Sequence, residues 1–148
     1  LEKFPDAHLQ IVGEGEDYAV LDGIIKEKKL GSKIELIGKI DHSELRFYYS
    51  SCDLYISAST FEVCPVPTLE AMACGKPLVL SNIEPHKEMI NASKAGKIFS
   101  KSSPEEILTA VSEVFQDQKN LGILGRKFTE AHDWSVISKQ MAEIFESV

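Results

Sequence analysis

Short apolar runs alternate along the chain with longer amphipathic stretches. The runs predict four strands, and residues 98–99 indicate a possible short fifth. The four runs are Leu9–Val12, 34–37, 54–56 and 77–80. Strands that alternate with helices favour crossover connections and a parallel sheet. The pattern therefore predicts an α/β fold in which helices cover both faces of the sheet.

Apolar residues recur at helical spacing between these runs. The first predicted helix runs through Tyr18, Leu21, Ile24 and Ile25 and closes at Gly31. The second follows Asp41 and has Leu45, Tyr48, Tyr49 and Cys52 on one face. A third spans 66–74 and is stopped by Gly75, and a fourth runs through Glu88 and Ile90. A further helix has Ser103 as its cap, Pro104 in its first position, and Glu106 completing a capping box. The last helix starts near Asp133 or Trp134. Its predicted buried face consists of Ile137, Met141, Ile144 and Phe145.

Composition narrows the class of protein. The 148 residues suit one compact domain, and no apolar run approaches the roughly 20 residues of a membrane span. The net charge of −7 disfavours nonspecific nucleic-acid binding. It leaves room for a small anionic ligand, because backbone amides at helix termini bind anions inside acidic proteins.

Cysteine and histidine spacing gives no sign of a metal site. Cys52, Cys64 and Cys74 are odd in number and lack a C-x-x-C pair, which predicts reduced thiols in a cytosolic protein. No D-x-D pair occurs, so an obligatory divalent metal is not indicated. Structural or surface roles are expected for the histidines, which are His8, His42, His86 and His132.

Candidate chemistry lies where the predicted strands end, because parallel sheets bind ligands at the carboxyl ends of their strands. The loop at 57–65 carries Glu62, and Glu70 follows in the next helix after seven intervening residues. The first turn of that helix, near Val66, offers a partial positive charge for a phosphate. Glu62 and Glu70 then suit neutral hydroxyl groups beside that phosphate.

Plainer explanations fit the same residues. Two glutamates at this spacing commonly have structural or solvent-exposed roles. Gly13 and Gly15 are accounted for as turn glycines at a strand end. They do not complete a dinucleotide fingerprint, because Tyr18 stands where a third glycine would be needed.

Residues 59–79, STFEVCPVPTLEAMACGKPLV, closely resemble the E-x7-E segment of family-4 retaining glycosyltransferases of the GT-B fold. Residues 4–15, FPDAHLQIVGEG, and 34–40, IELIGKI, resemble two strands of that family's C-terminal domain in matching order. Trp134 with Ser135 resembles the start of its closing helix. The resemblance covers nearly the whole chain.

The resemblance implies a Rossmann-like domain, half of a GT-B fold, over residues 1–148. It implies that Glu62 contacts hydroxyls of the donor sugar and Glu70 accepts the ribose hydroxyls of a nucleoside-diphosphate sugar. Glu62 is thereby the candidate catalytic residue, as an orienting group rather than a nucleophile. The remaining donor-binding candidates are Gly13, Gly15, Lys39, Ile40, Cys64, Pro65, Val66, Pro67 and Thr68, with Lys39 and Ile40 beside the base.

Departures from the family pattern shape the functional expectation. Many members have glycine at the position of Pro65, and proline removes one amide donor. The family's first strand, its phosphate-clamping Arg and Lys, and its N-terminal acceptor domain have no counterpart in these residues. We therefore expect a cytoplasmic donor-binding part of a larger enzyme, inactive alone, whose partners are the sugar donor and that N-terminal domain. Any membrane contact would come from the N-terminal domain.

Two other functions remain open. One is a GT-B-fold epimerase or phosphorylase, although a phosphorylase needs a pyridoxal-phosphate lysine that no sequence context marks here. The other is a non-catalytic nucleotide-binding or scaffold module.

Overall fold

The computed structural model describes residues 3–100 and 103–147, and the chain divides into two compact units, Leu1–Leu45 and Arg46–Val148. Parallel strands and helices alternate through both units, which confirms the predicted α/β class. The elements in chain order are β1 (Leu9–Val12), α1 (Tyr18–Glu27), β2 (Ile34–Gly38), α2 (His42–Ser51), β3 (Tyr55–Ser57), α3 (Val66–Ala73), β4 (Leu78–Ser81), α4 (Glu84–Ser93), β5 (Gly96–Phe99), α5 (Pro104–Gln116), α6 (Gln118–Ala131) and α7 (Trp134–Glu146).

The first unit contains a parallel pair of strands. β1 and β2 run in register from Leu9 opposite Ile34, and the register shifts between Ile11 and Val12. Val12 therefore lies opposite Gly38, the last residue of β2, and Gly13 directly follows β1. α1 connects the two strands and ends at Glu27, before the predicted stop at Gly31.

The second unit is built on a three-stranded parallel sheet in the order β3-β4-β5. β4 is hydrogen-bonded on both sides, and all four of its residues are buried. A strand with both faces covered needs a continuous apolar run rather than an alternating pattern. The run at 77–80 therefore predicted this central strand, with a shift of one residue.

Helices cover both faces of this sheet, as predicted. Leu78 and Leu80 pack into one core, and Val79 between them packs into the other. The first core is completed by Ala71 and Met72 of α3, Met89 and Ile90 of α4, Ala95, and Phe128 of α6. The second core receives Ala110 and Val114 of α5, together with Leu121 of α6 and Phe99. The alternation along β4 thus separates two helical layers.

The helix α6 was missing from the sequence prediction. Gly122 and Gly125 lie inside it, and glycine is among the poorest helix formers. Both glycines are buried, and a Cβ on Gly122 would lie 2.2 Å from the carbonyl oxygen of Gly75. These positions are therefore set by close packing against α3 and the turn that follows it, which overrides local propensity.

The caps of α5 and α7 agree only partly with prediction. The Ser103 hydroxyl accepts from the Glu106 amide at 3.3 Å, and the Asp133 carboxylate accepts from the Ser135 amide at 2.9 Å. The reciprocal half of the capping box differs, because the Glu106 carboxylate accepts from the Ser100 amide at 2.7 Å. This bond ties the start of α5 to the end of β5.

The predicted burial of the apolar face of α7 is wrong in this unit. Met141 is 50% exposed, Ile144 63% and Phe145 74%, while Ile137 is half-buried. Periodicity identifies which face of a helix is apolar but does not supply the surface that covers it. Among the described residues, no helix is both long and apolar enough to cross a bilayer.

Candidate functional site

Glu62 and Glu70 lie in different kinds of secondary structure. Glu62 belongs to the irregular segment between β3 and α3, whereas Glu70 lies inside α3. Both side chains are half-buried. The segment leaves the carboxyl end of β3, which is where ligands bind in open parallel sheets.

Glu70 is oriented by a tyrosine of a neighbouring helix. The Tyr49 hydroxyl on α2 donates to Glu70 Oε2 at 2.9 Å. Burial raises the pKa of Tyr49, and the hydrogen bond to Glu70 and the charge of that carboxylate raise it further. The Tyr49 ring also meets the ring of Tyr55 edge-on, with centroids 6.0 Å apart. Tyr49 is therefore held as a neutral donor toward Glu70.

Glu62 is oriented from within its own segment. The Ser59 hydroxyl donates to Glu62 Oε1 at 2.8 Å. Ser57, the last residue of β3, donates from its hydroxyl to Ser59 Oγ at 3.2 Å. A hydroxyl series thus connects the end of the strand to the carboxylate.

The pKa of Tyr55 responds to the charges of both carboxylates. Burial is the main cause that raises the pKa of Tyr55, and the charges of Glu62 and Glu70 raise it further. Both carboxylates therefore lie close enough to one phenol to act on it. The Thr68 hydroxyl opposes that rise in pKa, but it is 99% buried and forms no hydrogen bond of standard geometry within the described residues.

The start of α3 has fewer available amides than its sequence suggests. Pro67 has no N–H, and the Val66 amide donates to the Cys64 carbonyl at 2.8 Å. The Thr68 amide donates to the carbonyl of Pro65, which is buried. A phosphate at this turn would have to share the Val66 amide or use amides further upstream. The exposed Cys64 is such a position, because its amide has no hydrogen-bond acceptor within residues 3–100 and 103–147.

The three cysteines are free thiols. Burial raises the pKa of the Cys52 thiol, whose hydrogen-bond partner is the Tyr49 carbonyl. Cys74 is half-buried at the end of α3, so Cys64 alone of the three is exposed.

The first unit brings its own candidates together at the ends of β1 and β2. The Gly13 amide donates to the Gly38 carbonyl at 2.8 Å, and Lys39 lies 3.5 Å from Glu14 in an exposed ion pair. Gly13 has φ +127°, a conformation that favours glycine, whereas Gly15 lies outside the left-handed region. Ile40 follows Lys39 and is half-buried.

Sequence reasoning missed a buried polar pair behind Glu62. Ser81 and His86 are completely buried, at the end of β4 and in the first turn of α4. The Ser81 hydroxyl donates to the Ser59 carbonyl at 2.6 Å. His86 Nδ1 lies 3.0 Å from the Ser81 carbonyl oxygen and 3.1 Å from Ser81 Oγ. Histidine spacing alone gave no signal for this arrangement.

A cavity of about 340 Å³ lies elsewhere in the second unit. It opens near the amino ends of β3 and β4, and its lining residues are Asp53, Gly75, Lys76, Pro77, Gln118, Lys119, Gly122, Ile123 and Arg126. Lys76 also donates to the carbonyls of Ser50 and Cys52, at 2.8 Å each. Over the described part of the chain, no three His, Cys, Asp or Glu side chains gather as a metal site requires.

Comparison with solved structures identifies the fold. Sucrose-phosphate synthase from Thermosynechococcus elongatus superposes with a TM-score of 0.83 at 24% identity, over 98% of this chain and 39% of its own. The Anabaena protein HepE in complex with UDP superposes with a TM-score of 0.81 at 21% identity, over 97% and 42%. These likenesses confirm that this chain has the Rossmann-like fold of GT-B glycosyltransferases.

Curated relatives and a family model give the family. The alpha-monoglucosyldiacylglycerol synthase of Acholeplasma laidlawii is 28% identical over 84% of this chain and 31% of its own length. The phosphatidyl-myo-inositol mannosyltransferase of Mycolicibacterium smegmatis is 25% identical over 99% and 38%. The chain thus spans well under half of each relative. The model of "Glycosyl transferases group 1" matches residues 1–131. The chain therefore belongs to the group 1 glycosyltransferases.

Proposed function

We propose that this chain supplies the donor half of a larger, retaining glycosyltransferase and binds a nucleoside-diphosphate sugar. The observation that carries the proposal is the presence of two separately oriented carboxylates on either side of the start of α3 along the chain, Glu62 fixed by Ser59 in the preceding segment and Glu70 fixed by Tyr49 within the helix. Two carboxylates repel a diphosphate unless they engage neutral groups. A sugar and a ribose offer such groups as hydroxyls.

The family resemblance assigns one role to each carboxylate, and the contacts of the two side chains are compatible with those roles. Glu70, on α3 and fixed by Tyr49, accepts the ribose hydroxyls. Glu62, fixed by Ser59, contacts hydroxyls of the sugar and orients it. The diphosphate lies against the start of α3, near the amides of Cys64 and Val66. The partial positive charge of the helix contributes about 0.3–2 kcal/mol there.

The reaction separates charge, because the sugar becomes oxocarbenium-like while the diphosphate departs. Stabilising that leaving group is the main electrostatic task. No metal cofactor enters this proposal. The acceptor site and any membrane contact belong to the parent enzyme's N-terminal domain. A cytoplasmic location completes the proposal, and three free thiols support it.

Calorimetry on the full-length parent enzyme tests the two roles separately. The UDP complex of HepE supports uridine nucleotides as the first probes, with GDP as the comparison. We expect Glu70→Gln to weaken UDP binding about 10-fold or more, since a hydrogen bond to a charged group contributes about 1.5–3 kcal/mol. We expect Glu62→Gln to spare UDP and to weaken UDP-glucose or UDP-GlcNAc.

Glu88→Gln is the matched control, because Glu88 is an exposed carboxylate on α4. It should leave both affinities unchanged. Unaltered UDP binding by Glu70→Gln would refute the ribose assignment. Sugar transfer from labelled donors, with this chain alone and with the full-length enzyme, separates a transferase from a scaffold module, and the anomer of the product tests retention.

A further inference from the structure

We propose that His86 is a positioning residue that fixes the Glu62 carboxylate through Ser81 and Ser59. The inference rests on the proposed contact between Glu62 and the donor sugar. His86 itself is completely buried and lies outside the set of donor-binding candidates.

The proton positions in this series follow from its acceptors. The Ser59 carbonyl can only accept, so the single hydroxyl proton of Ser81 points to it across 2.6 Å. Ser81 Oγ and the Ser81 carbonyl then both face His86 Nδ1 as acceptors, at 3.1 and 3.0 Å. His86 Nδ1 must therefore carry a proton. The ring is held at this nitrogen, because Nε2 has no hydrogen-bond partner in the described part of the chain.

Donation runs in one direction from the buried ring toward Glu62. His86 donates to Ser81, and Ser81 donates to the Ser59 carbonyl. Ser59 is thereby fixed by its backbone, and its hydroxyl donates to Glu62 Oε1 at 2.8 Å. The first two bonds share the Ser81 hydroxyl and polarise each other in a water-poor interior, whereas the link to Glu62 is mechanical and passes through the fixed backbone of Ser59. Loss of the first donor should loosen the last carboxylate.

His86 and Ser81 both lie in regular secondary structure. Its backbone belongs to the first turn of α4, and Ser81 ends the central strand β4. Glu62 lies in a segment without regular structure, where backbone hydrogen bonds alone do not fix a side chain. The buried pair thus extends the rigidity of the sheet to a loop carboxylate.

Amide isosteres of histidine provide the test in the full-length enzyme. In His86→Asn the side-chain N–H takes the place of Nδ1–H, whereas in His86→Gln it takes the place of Nε2. The readout is the ratio of the dissociation constants for UDP-glucose, or UDP-GlcNAc, and for UDP. We expect His86→Gln and Ser81→Ala to raise this ratio about 5- to 10-fold, the loss of one net hydrogen bond. UDP binding should stay within about twofold. His86→Asn should keep the ratio near that of the unaltered enzyme.

His132→Gln controls for the substitution itself, because His132 is exposed and stacks on Phe128. Equal ratios in His86→Asn and His86→Gln would overturn the proposal, as would an unchanged ratio in Ser81→Ala. A merely structural histidine would lower stability and UDP binding together and leave the ratio unchanged.

One measurement needs no variant. The nitrogen chemical shifts of His86 in the unaltered protein report which ring nitrogen carries the proton. A proton on Nε2 alone would overturn the proposal even if every variant failed to fold. If Nδ1 is protonated but Glu62→Gln leaves sugar binding unchanged, the proposed role of Glu62 fails, and the positioning role of His86 fails with it.

Discussion

The Tyr49 hydroxyl donates to Glu70 Oε2 across 2.9 Å, and the two residues lie on different helices. If Glu70 accepts ribose hydroxyls, Tyr49→Phe should weaken UDP binding about 3- to 10-fold by releasing the carboxylate from its orientation, a loss of about one net hydrogen bond. Calorimetric titration with UDP measures this. The effect should be smaller than that of Glu70→Gln, which removes the charge as well.

Tyr48→Phe is the matched control for that prediction. Tyr48 is the preceding residue on α2 and is also half-buried, but its hydroxyl makes no hydrogen bond to a described residue. Equal effects of the two substitutions would show that Tyr49 acts through packing rather than through Glu70.

The titration of Tyr49 should also respond to Glu70. Burial, the hydrogen bond and the carboxylate charge all raise the pKa of Tyr49 above 10.0. Glu70→Gln removes the charge, so the pKa should fall while the contribution of burial remains. Phenolate absorbance during an alkaline titration measures the shift. Titration of Tyr49 at the same pH in both proteins would contradict the hydrogen bond.

The same raised pKa predicts alkaline instability. A phenol whose pKa is higher in the folded state stabilises the fold fully below its unfolded value of 10.0. That contribution disappears as the pH rises toward the folded value, because the unfolded chain ionises first. Burial shifts the pKa of Tyr55 in the same direction. Denaturant midpoints measured on either side of pH 10 should fall with rising pH, and less so in Tyr49→Phe.

The cap of α7 predicts an acid effect. The Ser135 hydrogen bonds lower the pKa of Asp133 below 3.8, its ordinary value. The charged cap therefore stabilises the folded state above that value, and its contribution is lost as the pH falls through the lower folded value. Helical signal from circular dichroism between neutral and strongly acid pH measures the loss. Asp133→Asn keeps an acceptor for the cap and should remove this component of the pH dependence.

Gly122 should tolerate no larger side chain. An added Cβ would lie 2.2 Å from the Gly75 carbonyl oxygen, and a backbone atom cannot move aside as a side-chain tip can. Gly122→Ala should lower the free energy of unfolding by about 1–3 kcal/mol. Gly23→Ala is the helical control, because a Cβ there meets nothing within 4 Å. It should stabilise by about 0.5–1 kcal/mol, and chemical denaturation compares the two variants.

Features with a local cause were predictable from the sequence. The strands at Leu9–Val12 and Leu78–Ser81 follow from apolar runs, and the cap at Ser103 follows from its own residues. α6 escaped prediction because Gly122 and Gly125 reflect a tertiary contact rather than helix propensity.

The candidate site also contains some residues that the sequence indicated and others that it did not. Spacing and the family resemblance indicated Glu62 and Glu70, but the orienting donors come from distant parts of the chain. Tyr49 is 21 positions from Glu70, and Ser81 is 22 positions from Ser59. Tyr49 lay on the predicted apolar face of its helix, so its hydroxyl was not singled out. Only folding reveals such a pairing.

The contrast between a helical glutamate and a loop glutamate has an evolutionary consequence under the proposed roles. Changing the residues around Glu62 disturbs one irregular segment, whereas moving Glu70 would require repacking α3 against the sheet core that holds Ala71 and Met72. Descendants of such a domain should therefore exchange one sugar for another far more readily than they give up the nucleoside.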